Sequence, residues 1–443
     1  MSRPPTPCAE SPVSPAEWRF HPLSHPTEWI EDYRPGKYHP VHFGDTLKDS
    51  RYCIIRKMGY GSFSTVWLAK DRERSQYVAL KILIASAEAA KHEIDIMSTL
   101  SQTVPEHIGK PHVMTLADIF EHTGPNGVHR CIVFGIMGPS VAAALQDPSE
   151  ALARITKGGK TFPIWMAKLI LYQTLLGIDF LHHSGVAHGD LQQGNLLFSV
   201  KDLESVSEVE LARDDQISEP VRRKDERTDH WAPKYLALSQ PLDEYIYIDP
   251  GFQIKISDLG GAFFLTNPPS EVVTPVALRS PELVFTNTIN KDQDVWSFGC
   301  LILELFTGRH LFLVTDMDDD RDEVDDDHFL QFHDVLGPIP HPLWSKYPRA
   351  HIYYNEQGEK IRNYIGELPE GFDPATIEPM LPLERAFDEE KPGDMSADDA
   401  DNVKRVLRWI LDYDPGRRPS AAELLRDPWF VAIGATTQRP GKV

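Results

Sequence analysis

The sequence predicts an α+β protein with two lobes, a small β-rich N-terminal lobe and a larger α-helical C-terminal lobe. Between residues 52 and 83, short apolar runs alternate with turn residues, which is the pattern of a β-meander. After residue 163, a long apolar segment with helical periodicity ends at Gly185, and a second such segment covers residues 294–308. Because the two patterns occupy different parts of the chain, we expect them to form separate lobes.

The boundaries of the predicted lobes follow changes in composition along the chain. The first 30 residues are rich in Pro, Ser and Thr, which is typical of a flexible tail. Two polar stretches interrupt the helical part, and we expect both to be surface insertions. The predicted parts are a tail (1–30), an N-lobe (31–138), a C-lobe (139–432) with insertions at 199–248 and 314–400, and a C-terminal tail (433–443).

The charge balance of the chain limits its partners. Its 443 residues include 45 Lys and Arg and 66 Asp and Glu, which gives a formal net charge of −21. Such a surface repels nucleic acid and anionic membranes and favours cationic partners. No apolar run approaches about 18 residues, so no membrane span is predicted, and four scattered cysteines argue against a zinc or disulfide framework. We expect a monomer in the cytoplasm, the nucleus or both.

A glycine-rich segment within the β-meander is the first candidate for a binding site. It consists of Gly59, Tyr60, Gly61 and Ser62, and Val66 follows it. Glycines let backbone N–H groups approach and bind phosphate. A plain hairpin turn also needs glycine, so this segment alone does not decide between the two interpretations.

A lysine and a glutamate extend this pattern. Lys81 ends the next strand in the sequence VALK, and Glu93 lies on the helix that follows. A strand lysine can bind the α- and β-phosphates of a nucleotide, although an exposed strand lysine is the commoner case. If the helix face that carries Glu93 and Met97 meets the strand, Glu93 can pair with Lys81 and fix its position.

The most specific motif is the sequence HGDLQQGN at residues 188–195. An Asp at position 190 can accept the proton of an attacking hydroxyl, and an Asn five residues later can bind Mg²⁺. Asp258 follows a short strand and offers the carboxylate oxygens that a hard cation prefers. Helix capping by Asp190 and a turn role for Asp258 are the alternatives, and the preceding motifs argue against them.

Further motifs give the chain its family resemblance. RSPE at 279–282, DVWSFG at 294–299 and RRP at 417–419 resemble conserved segments of protein kinases. YHPV, FSTVWLAKD and HEIDIM resemble the corresponding parts of SR-protein kinases, serine/threonine kinases of the CMGC group, and most of all their fungal members. The resemblance extends from about residue 31 to residue 430 and implies the two-lobed protein kinase fold.

The resemblance also implies ATP and Mg²⁺ as cofactors and a role for each motif. Asp190 would be the catalytic base, Asn195 and Asp258 would bind Mg²⁺, and Glu93 would support Lys81. The residues that would bind ATP are Gly59, Tyr60, Gly61, Ser62, Val66, Ala79, Lys81, Phe134, Gly135, Met137 and Leu197.

Three departures from the family pattern bear on activity. Gln192 replaces the catalytic-loop lysine, and a neutral amide brings no charge to the transferred phosphate, so we expect slower turnover. Gly189 replaces the arginine that binds a phosphorylated activation loop, so replacing Thr266, Ser270 and Thr274 by alanine should leave activity largely intact. Pro275 and Val276 stand where the family usually has Thr and Arg, next to the region that contacts the substrate.

The expected partners are protein substrates, and an acidic stretch suggests their chemistry. In SR-protein kinases the corresponding insertion helps to dock arginine-rich peptides, and the acidic residues 316–327 would attract arginine/serine-rich proteins in the same way. A solvated acidic loop is an equal alternative.

Two other functions stay open from the sequence alone. HGD followed by GN also occurs in small-molecule kinases of the aminoglycoside or choline type, although RSPE and DVWSFG argue for a protein kinase. A non-catalytic pseudokinase scaffold is the second alternative, and it rests only on Gln192.

Overall fold

The computed structural model describes residues 14–86, 89–102, 106–146, 148–156, 159–212, 215–314 and 321–437. Within them the chain forms two compact units. The β-rich unit contains the described parts of Met1–Thr103, Met114–Pro139 and Leu197–Phe252, and the helical unit contains those of Val104–Val113, Ser140–Leu196 and Gln253–Val443.

An antiparallel sheet of six strands forms the centre of the β-rich unit. One face packs on a core that includes Trp67, Leu80 and Val133, all almost completely buried. Among the described residues of both units the strands are β1 (Thr46–Leu47), β2 (Tyr52–Gly61), β3 (Ser64–Asp71), β4 (Gln76–Leu83), β5 (Leu116–Gly124), β6 (Gly127–Phe134), β7 (Met137–Ser140), β8 (Val186–Ala187), β9 (Leu196–Ser199), β10 (Ile254–Ile256) and β11 (Phe263–Phe264). The first six form the central sheet, in the order β1-β2-β3-β4-β6-β5.

Helices make up most of the other unit. Apart from short 3₁₀ turns, the helices of the described residues are α1 (Ala89–Gln102), α2 (Val141–Gln146), α3 (Glu150–Thr156), α4 (Ile164–His183), α5 (Glu208–Leu211), α6 (Pro281–Thr286), α7 (Asp292–Thr307), α8 (Arg321–Leu336), α9 (His341–Trp344), α10 (Ala350–Tyr353), α11 (Leu383–Glu390), α12 (Ala397–Ile410), α13 (Ala421–Leu424) and α14 (Pro428–Thr437). Of these, α1 and α5 lie in the β-rich unit.

The two long apolar segments form α4 and α7, as the sequence predicts. Helix α7 is buried along almost its whole length and ends at Gly308, whose positive φ of 70° suits a residue without a Cβ. Within the described residues, α4 alone is long and apolar enough to cross a membrane, but 72% of that window is buried inside the protein. A core helix accounts for the same composition.

The first insertion folds with the β-rich unit, which corrects the prediction that residues 199–248 belong to the C-lobe. Leu203, Leu211 and Leu242 pack with side chains of β2 and β3. The buried guanidinium of Arg56 in β2 donates to the carbonyls of Gln240 and Pro241, each at 2.6 Å. Sequence order does not reveal which surface a polar insertion covers, and the prediction therefore failed here.

The described part of the predicted N-terminal tail is also packed. Phe20 and Ile30 are 1% and 6% exposed and belong to a cluster with Ala232 and Leu236 of the first insertion. The prediction of a flexible tail is therefore wrong for residues 14–30, because a few apolar anchors suffice despite the polar composition, and residues 1–13 lie outside the described part. Two smaller boundaries shift as well: the described part of 104–113 joins the helical unit, and α14 continues to Thr437.

The second insertion stays with the helical unit and is organised around one buried carboxylate. Asp326 in α8 accepts hydrogen bonds from the hydroxyls of Tyr347 and Tyr353 at 2.6 and 2.7 Å. It also accepts one from Arg349 Nε at 2.8 Å. The acidic residue therefore holds neighbouring parts of the insertion together.

Candidate active site

The glycine-rich segment lies at the hairpin between β2 and β3. Gly59 pairs with Val66, and Gly61 pairs with Ser64. A Cβ at either glycine would meet no atom within 4 Å, so the segment has open space on this side. The other predicted members, Tyr60 and Ser62, are exposed. A hairpin with this geometry can present backbone N–H groups to a ligand.

The β-sheet register brings four predicted ATP-binding residues onto one face. Val66 is the partner of Lys81 across β3 and β4, and Ala79 is the partner of Phe134 across β4 and β6. Because residues two apart in a strand share a face, Ala79 and Lys81 point the same way. This face lies opposite the core of the sheet that contains Trp67 and Leu80.

Lys81 and Glu93 form an ion pair. Lys81 Nζ lies 2.7 Å from Glu93 Oε1, and the two side chains are 14% and 5% exposed. Helix α1 therefore holds the lysine ammonium at a fixed place on the ligand-side face of the sheet. An ion pair of this kind leaves an ammonium positioned to bind phosphate oxygens.

The remaining predicted ATP-binding residues follow the sheet in the same unit. Gly135 comes directly after β6 and is exposed, whereas Met137 begins β7 and is buried. Leu197 lies in β9, which is the neighbour of β7, and it is half-buried between the buried residues Leu196 and Phe198.

In the helical unit, two amides hold the carboxylate of Asp190. Gln192 Nε2 donates to one oxygen at 2.8 Å, and Asn195 Nδ2 donates to the other at 2.9 Å. Asn195 Nδ2 also donates to the backbone carbonyl of Asp190 at 2.8 Å. The carboxylate is therefore fixed in orientation by two neutral donors.

The pKa of Asp190 is influenced by a second carboxylate, that of Asp258. Burial raises the pKa of Asp190, and the charge of Asp258 contributes to that rise, while His188 and the two amide donors oppose it. Asp258 adopts a left-handed conformation with φ of 57°, which is uncommon for a residue with a side chain and marks a locally constrained site. Asp258 thus brings a second carboxylate charge close enough to act on Asp190, and carboxylate oxygens are ligands that a hard cation prefers.

The backbone of the catalytic loop is fixed by a buried aspartate of α7. Asp294 accepts hydrogen bonds from the backbone N–H groups of His188 and Gly189 at 2.8 and 2.9 Å. His182 Nε2 lies 2.9 Å from the same carboxylate. Burial alone would raise the pKa of Asp294, but these partners lower it, so Asp294 stays ionised. Asp294 is the first residue of the DVWSFG segment, one of the segments that resemble protein kinases.

Gly189 has a structural reason to lack a side chain. Its φ is 74°, and a Cβ would lie 2.5 Å from the carbonyl oxygen of Gly261. An arginine at this position would require the neighbouring backbone to move. The absence of the activation-loop arginine is thus built into the local fold.

The three hydroxyl residues predicted to be dispensable differ in the structure. Thr266 and Ser270 are exposed, whereas Thr274 is 2% exposed and donates to the carbonyl of Gly189. The dispensability of Thr274 stays a prediction, and the structure gives a reason against it, because the loss of this side chain would remove a buried hydrogen bond beside the catalytic loop. No local sequence signal distinguished it, because its partner lies 85 residues away.

A cavity of about 1120 Å³ opens beside the catalytic loop within the helical unit. Its lining includes Gln192, Gln193, Pro275, Val276, Glu304 and His310. The carboxylate of Glu304, 5% exposed, accepts from Gln193 Nε2 at 3.0 Å and contacts His310 Nδ1 at 2.6 Å. The three departures from the family pattern, Gln192, Pro275 and Val276, thus line one common cavity. Glu304 was not among the residues predicted from the sequence.

Of the acidic stretch 316–327, residues 316–320 lie outside the described part of the chain. The rest lies on α8, where Asp322 is exposed and Asp326 is buried. The described part of the stretch therefore contains a buried carboxylate with a structural role, Asp326, and an exposed carboxylate that a ligand can reach, Asp322.

Comparisons with known proteins agree with this arrangement. The protein kinase domain family matches residues 52–233 and 243–430. Protein kinase dsk1 of Schizosaccharomyces pombe is 26% identical over 93% of this chain and 86% of that protein. Serine/threonine-protein kinase SRPK of Physarum polycephalum is 30% identical over 92% of each. The solved kinase domain of PF14_0431 aligns with a TM-score of 0.58 and 22% identity, over 88% of this chain and 98% of that one, which supports the fold.

Proposed function

We propose a mechanism for this chain, which belongs to the protein kinase family and within it to the SR-protein kinases. It is a serine/threonine protein kinase, and such enzymes transfer the γ-phosphate of ATP to protein hydroxyls with Mg²⁺. In our proposal, Asp190 is the catalytic base. The observation that carries this role is the carboxylate of Asp190, held by one amide on each oxygen.

Asp190 would accept the proton of a serine or threonine hydroxyl as that oxygen attacks the γ-phosphorus. A base must be held within hydrogen-bond reach of the proton that it accepts. The donors Gln192 and Asn195 fix its two oxygens, and Asp294 fixes the loop backbone beneath it. The base is therefore positioned before the substrate arrives.

Asn195 and Asp258 would bind Mg²⁺, which neutralises phosphate charge when it is bound. Asn195 Nδ2 donates to Asp190, so Oδ1 would be the atom of this amide that binds the cation. A carboxylate and an amide oxygen are the donors that a hard cation prefers. The oxygen donors of Asn195 and Asp258 therefore suit Mg²⁺.

The β-rich unit would hold the nucleotide. Lys81, kept in place by Glu93, would bind the α- and β-phosphates, and the glycine hairpin would cover them with its backbone N–H groups. Val66, Ala79 and Phe134 present apolar surface on the same face, which suits an adenine ring.

Gln192 would take a positioning role in place of the missing lysine. Its amide nitrogen donates to the base, so it orients Asp190 without adding positive charge. The relatives reported above are named protein kinases, and Gln192, on which the pseudokinase alternative rests, contacts the base directly.

We also propose arginine/serine-rich proteins as substrates. The chain carries a net charge of −21, Glu304 lines the cavity beside the catalytic loop, and the first turn of α8 carries the exposed carboxylate of Asp322. Charge complementarity of this kind selects cationic peptides.

A peptide series tests this substrate class with the full-length chain. Phosphate transfer is measured with an arginine/serine peptide and with the same peptide in which every arginine is replaced by glutamine, each with Mg²⁺ and γ-labelled ATP. We expect a KM at least about tenfold lower for the arginine peptide, which corresponds to one or two charge-assisted contacts. Equal KM values would contradict the substrate class and leave the kinase assignment intact.

A further inference from the structure

The glycine hairpin has few anchors of its own. Residues 60–63 are exposed, and Gly59 and Gly61 have no side chains with which to pack. Glycine loses more conformational freedom on ordering than any other residue. A loop that must bind phosphates through backbone N–H groups therefore gains affinity from any contact that orders it in advance.

One such contact comes from outside the hairpin. The hydroxyl of Tyr38 donates a hydrogen bond of 2.7 Å to the backbone carbonyl of Gly61. Tyr38 precedes residue 52, where the match to the protein kinase domain begins. The contact joins an N-terminal segment to the tip of the nucleotide-binding hairpin.

Tyr38 is itself firmly placed. It is 5% exposed, and its ring packs against Tyr33 with centroids 5.6 Å apart. Asn126 Nδ2 donates to its backbone carbonyl at 2.6 Å. Burial raises the pKa of Tyr38 to about 12, so its hydroxyl stays a donor at neutral pH.

A second contact from the same segment reaches the strand that leads into the hairpin. Lys57 in β2 forms a buried ion pair with Glu28, and Tyr33 donates to the same carboxylate at 2.5 Å. Lys57 Nζ also lies 5.1 Å from the centre of the Tyr60 ring. Residues 28–38 therefore touch the glycine hairpin at its base and at its tip.

We propose that Tyr38 is a positioning residue for ATP, which holds the glycine hairpin in its nucleotide-binding form through the carbonyl of Gly61. The proposal rests on the kinase function proposed above and extends its nucleotide-binding machinery to the segment 28–38. The segment acts before ATP binds, so its contribution belongs to nucleotide affinity and not to peptide affinity.

The test compares Tyr38→Phe with Tyr77→Phe in the full-length chain. Each variant removes one hydroxyl that donates to a backbone carbonyl, and the hydroxyl of Tyr77 donates to Val206 at 3.0 Å, away from the hairpin. We expect Tyr38→Phe to raise the Kd and KM for Mg–ATP about three- to tenfold, the effect of one hydrogen bond. The KM for peptide should not change, and Tyr77→Phe should leave both constants unchanged.

Hydrogen exchange of the apo chain supplies a readout that does not depend on activity. Tyr38→Phe should speed amide exchange in residues 59–64, and Tyr77→Phe should not. Equal ATP affinity and equal exchange in the two variants would overturn the positioning role while the kinase function stands. A wild-type chain that binds no Mg–ATP would instead overturn the kinase function and this role together.

Discussion

The two insertions of this chain are attached in opposite ways. The first is held by Arg56 of the sheet, a buried cation that donates to backbone carbonyls of the insertion. The second is held by Asp326, a buried anion of the insertion itself that accepts from three side chains of the same insertion. The first insertion therefore depends on the unit that it covers, and the second is organised from within.

This difference has a functional consequence. The backbone carbonyl of Lys57, the neighbour of Arg56, accepts a hydrogen bond of 2.9 Å from the backbone N–H of Gln240. The first insertion is thus bonded directly to the strand that leads into the glycine hairpin, whereas α8 of the second insertion carries Asp322, an exposed acidic residue that we propose attracts arginine-rich peptides. Loss of the Arg56 anchor, which adjoins the hairpin strand, should therefore affect ATP binding, and loss of the Asp326 carboxylate should affect peptide binding.

The largest expected effect follows from replacing Arg56 by leucine. The carbonyls of Gln240 and Pro241 would lose a charged donor, so the free energy of unfolding should fall by about 4 kcal/mol, and the KM for ATP should rise. Urea unfolding measures the first quantity. Arg130→Leu, a half-exposed arginine of the same sheet, is the control and should change stability by less than about 0.5 kcal/mol. Similar losses in both variants would contradict the anchoring role of Arg56.

Replacing Asp326 by asparagine should have a smaller effect. Asparagine keeps one acceptor oxygen but loses the charge that holds Arg349, so we expect a loss of about 2 kcal/mol in unfolding free energy. The KM for an arginine-rich peptide should rise, and the KM for ATP should stay constant. Asp401→Asn, at a side chain 77% exposed, is the control. A change in KM for ATP alone would break the comparison between the two insertions.

Tyr77→Phe should have a smaller effect still, because it removes only one neutral contact between the sheet and the first insertion. The lost hydrogen bond to Val206 should lower the free energy of unfolding by about 1 kcal/mol. Chemical denaturation of wild type and variant measures it. If Tyr77→Phe lowered the free energy of unfolding as much as Arg56→Leu does, Arg56 would not be the main attachment of the first insertion.

The smallest expected effect is a pH dependence of stability that arises from His310, which lies just before the second insertion. The hydrogen bond to Glu304 raises the pKa of His310 above its ordinary value. The contact between His310 and Glu304 therefore stabilises the protein fully below the pKa that the histidine has in the unfolded chain. This stabilisation is lost as the pH rises through the higher pKa of His310 in the folded chain. The stability difference between wild type and His310→Gln should shrink from pH 5.5 to pH 8.5, as thermal unfolding can show. A difference that grows with pH would contradict the contact.

The sequence was most informative where function needs residues close together in the chain. Asp190, Gln192 and Asn195 lie within six residues, and their hydrogen bonds form inside one loop. Lys81 and Glu93 lie on consecutive elements, so their pairing could be anticipated from the helix face. The two long helices were equally clear, because their apolar composition reflects burial.

Long-range polar contacts could not be predicted in the same way. Arg56 binds carbonyls 184 and 185 residues away, and any residue supplies a carbonyl. Thr274 and Tyr38 likewise bond to backbone oxygens of distant glycines. A side chain that recognises backbone leaves no pattern in the partner's sequence, so the placement of the first insertion, the packed N-terminal segment and the role of Thr274 required the structure.

The most direct test of the account is the rate of Mg²⁺-dependent transfer of the γ-phosphate of ATP to a protein serine, compared between the wild-type chain and Asp190→Asn. Asparagine keeps the shape of the side chain and cannot accept the proton, so we expect the rate to fall on the order of 10²–10⁴-fold while Mg–ATP binding persists. Phosphoserine formation that continues at the wild-type rate in Asp190→Asn would contradict the assignment of Asp190 as the catalytic base.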